Sequence, residues 1–223
     1  MIGRLAAIAA LLAAPLAGAQ EAPEQAPSAQ QLATASAEAD ALIAGSGAPN
    51  LFVNVSSDGL AKVRHKASGL VCTFLPGAEN NNLVLFEGGN VRRGDDIGCN
   101  ADFGPLYLTY YATRYGPGYS AIDSARDAAA AIRNRYPDAR PYEGASATAE
   151  PPAGAGEVAY AGFMIGSDDA PRYTQALTAK VGEWIFKQRM TADGGEDAVL
   201  SHQIMSGIFF NGALEAAVAG PRP

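Results

Sequence analysis

Cysteine and histidine are scarce in this chain: its 223 residues include two of each. The sequence contains no C-x-x-C pair, so thioredoxin-type redox chemistry lacks its spacing. It has no G-x-S-x-G segment, and no cysteine or histidine pair is spaced closely enough for a zinc site. The sequence therefore predicts no catalytic residue, no metal site and no cofactor.

Positive charge is also in short supply. The chain has 16 lysines and arginines against 23 aspartates and glutamates, which gives a formal net charge of -7. Nucleic-acid backbones are held by lysines and arginines that neutralise phosphate. The charge balance therefore argues against nucleic acid, and against anionic membrane surfaces, as partners.

Long hydrophobic runs are missing except near the amino terminus. Arg4 precedes an apolar run from Leu5 to Leu16, and the small residues of Ala17-Gly18-Ala19 follow. A bilayer-spanning helix needs about 20 apolar residues, whereas a run of this length after a positive start is typical of a secretory signal peptide. We predict cleavage after Ala19, a periplasmic or secreted product and no transmembrane segment in the mature chain. An uncleaved membrane anchor is the alternative.

The remaining chain is predicted to contain one domain. Residues 1–19 are the signal peptide, and residues 20–49 are a flexible segment in which Ser28 can cap a short helix. Residues 50–220 are long enough for one hydrophobic core. Strand patterns cluster before and between two helices, which favours an α+β fold with an antiparallel-rich sheet packed by helices. The strands are predicted near residues 51–55, 61–65, 70–74, 83–86, 97–100, 106–115, 157–165, 172–180 and 181–191.

The two helices have apolar stripes that predict their buried faces. Ser120 and Asp123 form a capping-box pattern at the start of the first helix, and Pro137 ends it. Residues at helical spacing are expected to face the core. For the first helix these are Ile122, Ala125, Ala129, Ile132 and Tyr136, and for the helix over 197–218 they are Leu200, Ile204, Ile208 and Leu214, with Met205 and Phe209 beside them.

Cys72 and Cys99 each lie in a strand-like run. Outside the cytoplasm thiols tend to be oxidised, and two cysteines admit one intramolecular pairing. We expect a Cys72–Cys99 disulfide. Two separate buried thiols, or a metal or redox pair, are the alternatives.

Two groups of basic residues are candidates for binding a ligand. Arg64, His65 and Lys66 form a locally basic strip in an acidic protein, and Lys187 and Arg189 lie two apart on one face of a predicted strand. Such a strip can meet an anionic ligand, or it can be a solvated strand edge, which lysines protect against aggregation.

A pattern around the first cysteine resembles a known type of sequence. The segment His65-Lys66-Ala67-Ser68-Gly69-Leu70-Val71-Cys72, with a second cysteine at Cys99 and a Thr/Tyr-rich strand over 107–115, resembles uncharacterised exported proteobacterial proteins. That family brings no activity. The order of strands, helix, hairpin and last helix is similar to the PsbP/Mog1-like α/β/α sandwich, a likeness that implies a fold and not a function.

These observations favour an exported, non-enzymatic domain that binds a partner protein or a small ligand. The alternative is a hydrolase-like enzyme that uses His65 with carboxylates from loops. The enzyme requires His65 in a concave pocket with an acid within hydrogen-bond reach. The binding domain instead requires an exposed apolar patch or groove.

Overall fold

The computed structural model describes residues 26–88, 91–147 and 150–220. The predicted signal peptide and its cleavage site lie outside these ranges. The described helices are α1 (Ala29–Gly45), α2 (Ala121–Arg135) and α3 (Glu196–Val218). The described strands are β1 (Phe52–Asn54), β2 (Ala61–His65), β3 (Val71–Phe74), β4 (Asn82–Leu85), β5 (Asp96–Asp102), β6 (Leu106–Arg114), β7 (Arg140–Pro141), β8 (Ala159–Ile165), β9 (Arg172–Val181) and β10 (Trp184–Asp193).

The strands form two antiparallel sheets in the described part of the chain. The small sheet has the order β1-β2-β3, and the main sheet has the order β4-β5-β6-β10-β9-β8-β7. The predicted α+β class with antiparallel pairing is confirmed, with two sheets in place of one. Antiparallel pairing joins β1 to β2 and β9 to β10.

Helices α2 and α3 lie on opposite faces of the main sheet. Thr178 of β9 donates a hydrogen bond of 2.7 Å to the carbonyl of Ala121 at the start of α2. Gln175, three residues earlier and therefore on the other face of the strand, donates one of 2.7 Å to Ser206 of α3. The small sheet shares the α3 side, where the larger hydrophobic core lies.

Helix α2 begins as its sequence predicts, with the reciprocal capping box of Ser120 and Asp123. Ile132 is fully buried against Phe163 and Ile165 of β8. The expectation that Ile122 faces the core was wrong, since its side chain is 58% exposed at the first turn of the helix. Helix α2 packs on β8, β9 and β10, and Ile122 projects away from that contact.

Helix α1 packs against the small sheet. Ser28 caps it through a complete capping box with Gln31, and Ala35 and Ala39 are fully buried. Asn54 of β1 donates a hydrogen bond of 2.8 Å to the carboxylate of Asp40. The helix predicted in the segment before residue 50 is therefore 17 residues long and ordered against β1 and β2. The boundaries assigned to the domain stay a prediction.

The disulfide joins the two sheets. Cys72 of β3 and Cys99 of β5 are bonded, and both are buried in the core. The predicted pairing is confirmed, and it excludes the alternatives of separate thiols or a metal pair. A structural disulfide fits an extracytoplasmic location, where thiols are oxidised. None of the helices in the described ranges combines the length and apolar character that crossing a bilayer requires.

Candidate functional site

Helix α3 carries an apolar stripe on its solvent side. Leu200, Ile204 and Ile208 follow one another at intervals of four residues and are 48%, 49% and 61% exposed. Met205 beside them is also exposed, whereas Phe209 is half-buried and Leu214 is fully buried. The prediction that Leu200, Ile204 and Ile208 face inward was wrong, and only Leu214 of that set does so.

A buried polar network explains this orientation. The inner face of the main sheet presents Gln175 and Gln188, which are buried and need hydrogen-bond partners. Ser206 of α3 accepts a hydrogen bond from Gln175 and donates one to the side-chain carbonyl of Gln188. Gln188 also donates to the backbone carbonyl of Ser206 at 3.2 Å. These bonds turn Gln203 and Ser206 towards the sheet, on the same buried face as Val199, Phe210 and Leu214. Leu200, Ile204 and Ile208 are left in solvent.

The network continues towards the edge of the sheet. Gln203, one turn before Ser206, donates a hydrogen bond of 2.9 Å to the hydroxyl of Tyr173 and accepts one of 2.8 Å from the backbone of Ala147. The hydroxyls of Tyr173 and Tyr160 are bonded to each other. Burial, as its largest cause, raises the pKa of Tyr173 well above the ordinary tyrosine value. The Tyr173 hydroxyl therefore keeps its proton near neutral pH.

A groove runs beside the exposed stripe, between α3 and the outer face of the small sheet. Its cavity volume is about 360 Å³. Ile208 and Phe209 of α3 form one wall, and Lys62 and Arg64 of β2 stand on the other. Gly212 also lines the groove, and a Cβ atom there would meet no atom within 4 Å. Further lining residues are Val71, Thr73 and Ala216.

The sheet wall of the groove is cationic. Lys62 is paired with the exposed carboxylate of Asp58. Arg64 makes no ion pair within the described residues, and its Nε is buried without a hydrogen-bond partner. A guanidinium without an ion pair attracts a carboxylate or another anionic acceptor. The groove therefore offers apolar contact on the helix side and positive charge on the sheet side.

The basic strip of residues 64–66 does not form one site, because its three side chains go to different surroundings. Arg64 lines the groove, whereas the Lys66 ammonium donates a hydrogen bond of 2.9 Å to the carbonyl of Asn50. His65 alternates with Arg64 along β2 and therefore points into the core, where it is 1% exposed.

The surroundings of His65 are those of a core residue. Its Nδ1 lies 2.9 Å from the hydroxyl of Ser68, and its ring packs near Phe52 and Trp184 at centroid distances of 5.5 and 5.8 Å. Burial lowers the pKa of His65 to about 4, although the nearby Asp95 carboxylate opposes that shift. No described carboxylate is hydrogen-bonded to the ring. His65 thus meets neither requirement of the hydrolase hypothesis, a concave pocket and a bonded acid.

The second basic pair lies on the opposite face of the main sheet, on the side of α2. The Lys187 ammonium lies 4.2 Å from the centroid of the Tyr111 ring. Burial, followed by the like charge of Arg189, lowers the pKa of Lys187. Arg189 pairs across the sheet with Thr109 of β6 and Ala176 of β9. The two groups of candidate residues are therefore separated by the thickness of the sheet.

Arg64 is the groove residue that was among the predicted candidates. The other residues of the groove were missed because each looks ordinary in the sequence. One signal in the sequence was available: glutamine occurs on the strand face whose other side chains are apolar. Gln188 lies between Phe186 and Met190, which predicts a polar partner in whatever packs on that face.

Among the residues that the structure describes, no group of three or more histidine, cysteine, aspartate or glutamate side chains is arranged to hold a metal ion.

Comparisons with known proteins add little to this description. No protein-family model matches the chain, and no curated protein matches it. One solved structure with a similar arrangement is LpqN, which is involved in cell envelope biogenesis of Mycobacterium tuberculosis. It is 15% identical over 62% of this chain and 79% of LpqN, with a TM-score of 0.30. A likeness at this TM-score carries no conclusion about fold or function, and the predicted family resemblances stay predictions.

Proposed function

We propose that the protein is an exported, non-enzymatic interaction domain that docks an amphipathic helix of a partner protein in the groove beside α3. The partner helix has an apolar stripe flanked by acidic residues. The observation that carries the proposal is the row formed by Leu200, Ile204 and Ile208, which is exposed and leads directly into the groove.

The row differs from the scattered apolar residues that every protein surface contains. Its three members repeat at the spacing that aligns them along one side of a helix, and Met205 widens them. From Ile204 to Ala216 the helix axis covers roughly 18 Å, which matches a partner helix of about three turns. Helix-in-groove recognition uses apolar anchors at this kind of repeat.

An apolar row can bind several kinds of partner, and the charge beside it favours an acidic one. Lys62 and Arg64 border the groove, and Arg64 has a buried donor without a partner. Acidic side chains beside the apolar stripe of a partner would pair with the Arg64 guanidinium, which makes no ion pair among the described residues. A second copy of the chain is disfavoured by its net charge of -7, because like-charged molecules repel.

Export is part of the proposal. Its support is the Cys72–Cys99 disulfide together with the charged, apolar and small-residue order of residues 1–19. The proposed location is the periplasm or the exterior, after cleavage near Ala19.

The test is a fluorescence-anisotropy titration with two labelled probe peptides of about 18 residues. Both carry leucines at helical spacing, with glutamates flanking the stripe in one and lysines in the other. We expect the acidic peptide to bind at least about tenfold more tightly than the basic one, and added salt to weaken it. Ile208→Asp and Arg64→Gln should each weaken the acidic peptide about tenfold.

Ile122→Asp is the matched control, because Ile122 is an equally exposed isoleucine on the helix across the sheet. It should leave the affinity unchanged. Equal binding of the two peptides, no binding of either, or affinity that survives Ile208→Asp would overturn the proposal. Two further results would overturn the proposal, because each would mean that the exposed row of α3 binds something other than a partner helix. One is a dimer in sedimentation that Ile208→Asp dissociates, and the other is adsorption of the protein to phosphatidylcholine vesicles through α3.

A further inference from the structure

We infer that the opposite face of the main sheet holds a second binding site, a basin for an acidic sugar. By acidic sugar we mean a saccharide ring that carries a carboxylate or a phosphate. The basin has a cavity volume of about 410 Å³ and lies over β5, β6, β9 and β10, next to the carboxyl end of α2. It is lined by Asn100, Tyr107, Thr109, Tyr111, Arg135, Tyr136, Arg172, Arg189 and Thr191.

The basin exists because α2 covers only part of this face. The helix packs on β8, β9 and β10, and its last residue, Arg135, ends at the rim of the basin. Beyond the helix, β6 and β10 present their outward side chains to solvent. Thr109 and Arg189 are cross-strand partners there, as are Tyr107 and Thr191.

The three arginines give the basin its charge, and its lining contains no carboxylate. Arg172 is partly engaged, since its Nε donates a hydrogen bond of 2.8 Å to Asp193. Arg135 and Arg189 make no ion pair among the described residues, and the Nε of Arg189 is buried without a hydrogen-bond partner. Two unpaired guanidinium groups in an acidic protein are a site for an oxyanion, which arginine binds with two parallel hydrogen bonds.

The rest of the lining is suited to a sugar ring. Tyr107 and Tyr136 offer aromatic surface with a hydroxyl at its edge, and Asn100 and Thr109 offer small hydrogen-bonding groups. The side chain of Thr109 donates to that of Asn100 at 2.9 Å, which holds both in position. The Tyr111 ring stacks on Phe86 and lies 4.2 Å from the Lys187 ammonium, contacts that hold this ring of the lining in place. A cavity of this size admits a ligand of one or two rings.

The inference is tested by calorimetric titration of the exported, disulfide-bonded protein at low ionic strength. The probes are glucuronate, glucose phosphate, neutral glucose and acetate. Glucuronate or glucose phosphate is expected to bind at least about tenfold more tightly than glucose and than acetate. Which of the two binds more tightly identifies the oxyanion.

Arg189→Gln and Arg135→Gln should each weaken the acidic sugar about tenfold or more. Arg135 is exposed, so its substitution does not disturb folding. Arg126→Gln is the control, because Arg126 is an exposed arginine on α2 that pairs with Asp123 outside the basin. Absence of binding, equal binding of glucose, equal binding of acetate, or affinity that both basin variants retain would overturn the inference.

Discussion

Ser206 of α3 and Gln188 of β10 are joined by two buried hydrogen bonds, one through the serine hydroxyl and one through its backbone carbonyl. This pair sets the rotation of α3 about its own axis. The sheet presents buried amides and a tyrosine hydroxyl to the helix, and these groups form hydrogen bonds with Gln203 and Ser206. The apolar row on the other side is the consequence.

Removing the hydroxyl of Ser206 should destabilise the fold. In Ser206→Ala the amide of Gln175 and the carbonyl of Gln188 lose their partner in a buried site, which costs about 1–3 kcal/mol of unfolding free energy. Denaturant titration followed by circular dichroism measures the change. Ser201→Ala on the same helix is the control, since Ser201 is exposed, and it should change stability by less than about 0.5 kcal/mol.

The exposed row of α3 should be replaceable by polar residues. Ile204→Gln is expected to change the unfolding free energy by less than about 0.5 kcal/mol, because the side chain already faces water. Val199→Gln on the buried side should cost several times more, since Val199 is fully buried and the amide would have no partner. A loss of about 2–5 kcal/mol in Ile204→Gln would mean that the row belongs to the core.

The disulfide should contribute strongly to stability because it ties two sheets that share one core. Its cysteines are 27 residues apart, and closing such a loop stabilises the folded state by about 3–4 kcal/mol on the chain-entropy model. The unfolding midpoint of Cys72→Ser/Cys99→Ser against that of the oxidised protein measures this. Mass spectrometry of the exported protein should find the two cysteines joined in one peptide pair, and two thiols open to alkylation would contradict the pairing.

Stability should fall as the pH drops below the ordinary pKa of histidine. The pKa of His65 is about 4 in the folded protein against 6.5 normally, so between these values the unfolded chain binds a proton that the folded chain does not. The unfolding free energy therefore decreases from pH 6.5 towards pH 4, by roughly 3 kcal/mol from this residue. Unfolding curves across that interval should be less steep in pH for His65→Gln, and an identical slope would contradict the burial of a neutral ring.

Local sequence features predicted most of the elements correctly. The Ser28 and Ser120 caps and the strands predicted near 106–115 and 181–191 depend on neighbours in the chain. The disulfide followed from the cysteine count and the predicted compartment. All of these signals are short-range or compositional, and they can therefore be recognised in the sequence without knowledge of the fold.

The two surfaces could not be predicted in the same way, because distant elements create them. The apolar stripe of α3 has ordinary helical spacing, and only the glutamines of β9 and β10 indicate that Gln203 and Ser206 face the sheet. The basin brings Asn100, Arg135 and Arg189 together from a strand, a helix and another strand. Nothing in the spacing of these residues indicates that they meet.

The most direct measurement of the proposed function is the affinity of Gly212→Leu for the acidic amphipathic probe peptide. The new side chain projects from a residue that lines the groove, where a Cβ atom meets nothing within 4 Å, and a helix interior tolerates leucine better than glycine. Our account predicts a fully folded variant that has lost at least about tenfold in affinity for the acidic peptide. Unchanged affinity in a folded Gly212→Leu would contradict docking beside α3.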